Sequence, residues 1–475
     1  MILGIAVQSS RLGNVLNEVH SFRQTQTAWT IREFMQGNWS VLSPLPIFGP
    51  PWNTPFEFPL FQGFAAFLGN VISSQPDFAA RLAGLISFQV SALLLAILIK
   101  RWFAKTASII ALILYEFLPF SIQWGPSSLM EFTAVSLCLG SILLADSFRR
   151  SQRLLFLLFA TLLLSLGYMV KITTALPWSL VFAAAVLAPG TSLKFSWRWK
   201  IPAASAPIIL ALLAGTAWTR IADTEKERNP ITQQLVSSKL LDWNFGTWDQ
   251  RLNPDSWIVI FDRFPSMGLG LSGLLVAIII AGVSLQWNMR ILAVLSVPLF
   301  SINVFLNLYV FHNYYLSAIY PAIIILTSIA ISKVSEYIQN QRSRDGFLIA
   351  ATLSVIILAW TSSEASDYAE VSRNATYYPP ISKLINENVP VGEAVLVVGC
   401  DWDPTPLYYA ERQGIMIPGW YTQGIPANWV GNEFNFIAFC TGASEPGEGD
   451  PASIIDANSW VWGEVAQGIF RIFPK

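Results

Sequence analysis

Residues 17–34 read NEVHSFRQTQTAWTIREF and gather Glu18, His20, Arg23, Arg32 and Glu33 in an otherwise greasy chain. A carboxylate in a partly desolvated crevice has its pKa raised and can take a proton from an attacking hydroxyl, so Glu18 is a candidate general base. It also reads as a solvated loop acid, or as a partner for Arg23. Arginine grips phosphate with paired N–H donors, which makes Arg23 and Arg32 candidate phosphate ligands; interfacial arginines also bind lipid headgroups without specificity. Glu57, set among phenylalanines and prolines in PFEFPLF, is either desolvated for a purpose or a tether for its loop. His20 and His312 are the only histidines. Together with Glu18 or Glu57 they form a candidate divalent-metal set; as lone histidines in separate loops they read as hydrogen-bonding groups. Lys171, in GYMVKITTALP, interrupts an apolar run. An ionisable group inside a membrane segment marks a functional site with an anionic partner, here a lipid phosphate, and snorkelling to the headgroups is the alternative.

The elements that must hold these residues are membrane helices. The 475 residues are 53% hydrophobic and 12% charged, with a mean hydropathy of +0.49. Soluble domains carry about a quarter charged residues. Runs of about twenty apolar residues, each able to cross roughly 30 Å of hydrocarbon, recur along the chain. The candidate spans are 78–99, 107–124, 128–146, 154–170, 173–190, 201–219, 268–286, 291–311, 316–333 and 346–361. Nineteen tryptophans, many at the ends of these runs, suit an aromatic belt. A net charge of −1 argues against a nucleic-acid partner.

Lys and Arg fall in alternate connections, which places those connections in the cytoplasm. Residues 8–77, 220–266 and everything after 362 are then outside. Counting from Arg153, Lys171 lies about 27 Å up its helix, near the outer surface. Only MILGIAV precedes the first outer segment, too short to span, and the expectation is a first helix lost to a misplaced start codon. Three parts follow: 1–77, an N-terminal remnant with the first outer loop; 78–361, the transmembrane body; and 362–475, an outer domain.

Within the loop, 21–36 suits a helix lying at the membrane interface, 57–73 a second interfacial or re-entrant helix, and PLPIFGPPWNTP (44–55) suits neither helix nor strand. In the tail, strands are expected at 394–400, 434–440 and 468–473 and helices at 379–388 and 407–413, giving a small α/β domain. Cys400 and Cys440 each end a strand on the outer side, where a disulfide can form. The sequons at Asn38 and Asn374 read as chance.

Five stretches in order carry a resemblance: EVHSFRQTQTA (18–28), PFEFPLFQ (55–62), VKITTALP (170–177), HNYYLSAIYP (312–321) and VGCDWDPTPLYYAERQG (398–414). Together they resemble bacterial glycosyltransferases of the GT-C superfamily, in particular the ArnT-like, phospholipid-carrier-dependent enzymes related to protein O-mannosyltransferases. The resemblance implies an α-helical polytopic membrane fold with interfacial helices in the first outer loop. It also implies transfer of a sugar, with inversion, from a polyprenyl-phosphate donor to a lipid, glycan or protein acceptor. Such enzymes sit in the bacterial inner membrane with the active site facing outward. Glu18 takes the place of the family's essential acid, although Asn17 stands where an aspartate is common. Arg23 and Lys171 become ligands of the donor phosphate. His20, Gln24, Glu57, His312 and Tyr314 shape the sugar pocket, and Asp401, Asp403 and Arg412 become acceptor contacts. No nucleotide is implied, and a metal requirement stays open. A transporter of a lipid-linked or polar substrate is the rival class; it predicts repeated halves with charges near the midplane, and no repeat is evident.

Overall fold

The computed structural model describes residues 1–189, 197–285, 288–374, 379–418, 434–440, 461–466 and 469–473. The chain groups into two compact units, one comprising Met1–Leu12, Arg81–Arg220 and Ser238–Glu370, the other Gly13–Ala80, Ile221–Ser237 and Val371–Lys475. The first loop and the tail, which the sequence reading kept as separate parts, therefore fall in the same unit.

This is a multi-pass membrane protein. Among the described residues five helices are long and apolar enough to cross a bilayer: Pro76–Trp102, Glu131–Ser151, Leu154–Leu187, Arg198–Lys226 and Gln341–Trp360. The pair Pro254–Met267 and Leu271–Ser284, bent by 69°, passes the same test as one broken span. Several spans expected as single rods are interrupted. The 107–124 run breaks at Leu118, whose backbone is extended ahead of Pro119, as the residue before proline prefers. The 291–311 run breaks at Phe305, and 316–333 opens as a 3₁₀ turn, Asn313–Ala318, before continuing as Tyr320–Glu336.

Leu154–Leu187 needs closer description. A straight helix of its 34 residues would run about 51 Å. Instead Lys171 takes non-helical angles (φ −159°, ψ 90°), and the Tyr168 hydroxyl lies 2.7 Å from Ser179 Oγ. Residues eleven apart on a straight helix are about 16 Å apart. The chain therefore doubles back at Lys171, and the two arms correspond to the separate spans 154–170 and 173–190. The arms pack tightly: a Cβ placed on Gly167 would lie 3.7 Å from that of Ala175.

The second unit is built on a five-stranded mixed sheet. Its strands are β1 (Ala394–Val398), β2 (Gly414–Met416), β3 (Phe434–Phe439), β4 (Val461–Ala466) and β5 (Ile469–Phe473), in the order β2-β1-β3-β5-β4. β1 is parallel to both β2 and β3, while β5 is antiparallel to β3 and β4. Buried at every position, β1 reads as the unbroken apolar run AVLVV that a strand covered on both faces requires. The helix Thr405–Ala410 makes the crossover from β1 to β2, and Pro380–Asn388 precedes β1. β2 is only three residues long and carries no readable period, so only the sheet reveals it.

The first loop completes this unit. Ile47 O accepts from Met416 N–H (2.8 Å) and Pro46 O from Gly414 N–H (3.0 Å), which covers the free edge of β2. One apolar core takes in Leu16, Trp29 and Phe48 from the loop, Ile231 and Leu235 from the 221–237 segment, and Val395, Leu396 and Ile437 from the sheet. Asn229 pins the loop by donating to the carbonyls of Phe48 (2.8 Å) and Pro50 (2.7 Å). The two loop helices differ. Ser21–Met35 is buried at most of its positions, including Arg23, Gln24, Thr25 and Gln26. Leu60–Ile72 leaves Phe64, Phe67, Val71 and Ile72 exposed, the apolar face expected of an interfacial helix.

Candidate active site

The candidate residues form two clusters, one in each unit. In the second unit, His20 enters a left-handed conformation (φ 53°) and so starts the helix Ser21–Met35 just after Glu18. Glu18 is 5% exposed, and Gln24 Nε2 donates to its Oε1 at 3.2 Å. The first turn of this helix thus supplies an amide that orients the carboxylate just ahead of it. On the same helix Arg23 donates to Gln26 Oε1 (2.6 Å) and forms an ion pair with Glu57, with side-chain exposures of 10% and 16%. Glu57, read in the sequence as either a tether or a purposeful acid, meets the guanidinium of Arg23. Arg32, the other candidate phosphate ligand, gives a hydrogen bond to the Tyr408 carbonyl (2.6 Å) and lies over the Tyr408 ring at 3.9 Å. That commits it to joining loop and tail.

Arg23, Gln26, Ser43, Thr54, Glu57 and Gln62 line a small cleft of about 20 Å³, room for little more than one water. Gln26 Nε2, Ser43 Oγ and Gln62 Oε1 are buried with no hydrogen-bond partner. Each orphaned polar atom costs about 1–3 kcal/mol unless a solvent or ligand group fills the gap.

Tail and loop meet again at Asp77, whose carboxylate accepts from the Tyr408 hydroxyl and from the Tyr409 hydroxyl (2.9 Å). Tyr409 in turn accepts from Leu16 N–H at 2.6 Å, two residues before Glu18. Arg412 is 6% exposed and spends its donors on the carbonyls of Asn386, Val389, Ala410 and Glu411. It braces the tail, which leaves little of it to offer an acceptor. Asp403 Oδ1 accepts from the Thr405 N–H (2.9 Å) and from its hydroxyl, and burial pushes the carboxyl above its ordinary range despite these bonds. Asp401 is exposed, with a left-handed backbone (φ 49°). Cys400 and Cys440 are joined in a disulfide with their Cα atoms 5.7 Å apart, tying the ends of β1 and β3.

In the first unit Lys171 sits at the reversal of its helical hairpin and is 5% exposed. Its partner is Glu131, with Nζ to Oε1 at 3.2 Å and the carboxylate 2% exposed. Tyr315 presents its ring to the ammonium at 5.0 Å. His312 stacks on Tyr314 (5.3 Å between centroids), and Tyr314 on Tyr315 (4.7 Å), so the HNYY stretch is bound into the same neighbourhood. Glu131 opens the helix Glu131–Ser151, where the helix dipole favours a negative charge. It was missed in the sequence although the rule that singled out Lys171, one charge in an apolar run, applies equally to it. Among the described residues no three His, Cys, Asp or Glu side chains are grouped to hold a metal ion.

Neither a family model nor a curated protein matches the sequence. Solved structures do. ArnT from Cupriavidus metallidurans bound to undecaprenyl phosphate superposes with a TM-score of 0.60 at 12% identity, covering 99% of this chain and 97% of that one. Its apo form gives 0.57, also at 12% identity and with the same coverage. The archaeal oligosaccharyltransferase AglB from Archaeoglobus fulgidus, in complex with an inhibitory peptide and a dolichol-phosphate, gives 0.53 at 13% identity, covering 100% of this chain and 74% of that one. The chain therefore has the GT-C fold that these membrane enzymes share.

Proposed function

We propose that this protein is a membrane glycosyltransferase that moves a sugar from a polyprenyl-phosphate donor to an acceptor hydroxyl, with inversion, on the outer face of a bacterial inner membrane. The observation that carries the reading is the match, over nearly the whole chain, to a fold solved with undecaprenyl phosphate bound. The likeness to an oligosaccharyltransferase solved with a dolichol-phosphate and an inhibitory peptide supports a lipid-phosphate donor of the same chemistry.

In this reading Glu18 accepts the proton of the acceptor hydroxyl as that oxygen attacks the anomeric carbon. The bond from that carbon to the phosphate oxygen breaks, and the lipid phosphate leaves with the electron pair. Lys171 and Arg23 are the proposed phosphate ligands that stabilise the charge developing on it. Each already has a carboxylate, Glu131 and Glu57 respectively. A phosphate must share each cation with that carboxylate or displace it. His20, Gln24, Glu57, His312 and Tyr314 are the proposed sugar contacts, and Asp401 and Asp403 the acceptor contacts in the tail.

The test is turnover by purified wild type and Glu18→Gln on a panel of polyprenyl-phosphate sugars. The wild type transfers at least one sugar, and kcat of the variant falls about 10²–10⁴-fold, the usual contribution of a general base. A wild type inert on every donor counts against the enzyme; a fully active variant removes Glu18 as base and spares the class.

A further inference from the structure

Three residues that line the small cleft of the second unit each carry a polar atom that the proposed chemistry leaves unused. Gln26 Nε2, Ser43 Oγ and Gln62 Oε1 are each without a hydrogen-bond partner, on residues each 5% exposed. The orientation of Gln26 is not arbitrary. Arg23 donates to its Oε1 at 2.6 Å, which fixes the carbonyl on that side and leaves the NH₂ as the unsatisfied end. The cleft thus offers a donor, an acceptor, and a hydroxyl able to act as either. Its charge is cancelled, because Arg23 is paired with Glu57, and Thr54 and Phe56 add a hydroxyl and a ring to the lining. About 20 Å³ admits one or two hydroxyl-sized groups.

A neutral pocket with alternating donor and acceptor groups fits the hydroxyls along one edge of an uncharged sugar. An apolar group would leave the three polar atoms orphaned. We propose that this cleft is a sugar-edge subsite, in which Gln26, Ser43 and Gln62 hold hydroxyls of a neutral monosaccharide in place of water. The assignment rests on the glycosyltransferase reading above and names the part of the substrate that these residues select. A site built to hydrogen-bond a hydroxyl discriminates far more strongly than an apolar one, since the analogue lacking that hydroxyl leaves buried groups unmet.

The test is saturation-transfer NMR on the purified full chain in detergent, with the methyl glycosides of mannose, glucose, galactose and arabinose as probes. Ring protons of at least one probe receive saturation from the wild type, and the transfer falls about tenfold or more in Gln26→Met and in Gln62→Met. Ser43→Ala, which removes a single oxygen, carries the same expectation and covers the case in which a glutamine variant fails to fold. No transfer to any probe from the wild type, or undiminished transfer in the folded variants, overturns the subsite and leaves the cleft holding water alone. Turnover on polyprenyl-phosphate sugars, measured in parallel, separates the two failures. Sugar binding without turnover keeps the subsite and removes the enzyme. Turnover without a binding change in the variants does the reverse.

Discussion

Two buried ion pairs, one in each unit, invite comparison. Lys171–Glu131 is enclosed almost completely, with side-chain exposures of 5% and 2%, and its surroundings are helix walls and the Tyr315 ring. Arg23–Glu57 is also sequestered but less so, and it borders a cleft rich in amide and hydroxyl groups. The first pair is the more deeply enclosed, so removing one of its charges is the more costly change. The second has polar neighbours that can share the burden. Burial of a charge is therefore a different physical problem in the two units, and the functional expectations differ with it.

Breaking the enclosed pair gives the largest effect on stability. Glu131→Gln removes the carboxylate that faces the buried Lys171 ammonium and is expected to cost about 3–5 kcal/mol, read as a fall in melting midpoint of the purified protein. Lys171→Met combined with Glu131→Leu removes both charges and is expected to recover most of that loss. If the double variant is no more stable than Glu131→Gln, the pair is not the coupled unit described here. Glu57→Gln is the matching change in the second unit, and keeps an oxygen for Arg23. It is expected to cost less, about 1.5–3 kcal/mol, the worth of a hydrogen bond to a charged group. An effect equal to that of Glu131→Gln would erase the contrast between the two sites.

The smallest effect concerns a buried acid with a hydroxyl and a backbone N–H for partners. Asp403 is held above the ordinary carboxylate range, first by burial and then by Asp401 nearby, with the Thr405 hydrogen bonds opposing. A raised folded pKa means that the native chain keeps a proton which the unfolded chain has released. Stability therefore falls as pH rises from the ordinary carboxylate range through the raised value, and stays lower above it. Asp403→Asn keeps the oxygen that accepts from Thr405 and removes the charge. The variant is expected to melt slightly above wild type at neutral pH and alongside it below the ordinary carboxylate range. A wild-type advantage at neutral pH would contradict this reading of the site.

Much of the membrane body was legible because hydrocarbon imposes one simple demand, about twenty apolar residues per crossing. The separate spans 154–170 and 173–190 were legible because Lys171 interrupts the apolar run between them. The breaks at Leu118 and Phe305 were not legible, since an apolar run looks the same whether its backbone is straight or interrupted. Lys171 stood out as a lone charge, yet its partner did not, because pairing is set by which helices pack side by side. In the loop, Arg23 and Glu57 were noticed individually, 34 positions apart; only the folded chain makes them a pair. Gln26, Ser43 and Gln62 carried no signal at all, being ordinary polar residues whose meaning comes from lacking partners in a closed space.

Composition and hydropathy by themselves determined that this chain lives in a membrane, where its apolar runs cross, and that its tail holds an α/β sheet, because burial in lipid and strand periodicity are written locally. The tertiary structure alone decided that loop and tail share one core, that Lys171 marks a reversal rather than a point along a rod, and that Lys171 and Arg23 each already face a carboxylate. Those outcomes depend on contacts between residues far apart in sequence, and the free energy of such a contact is fixed by what surrounds it after folding.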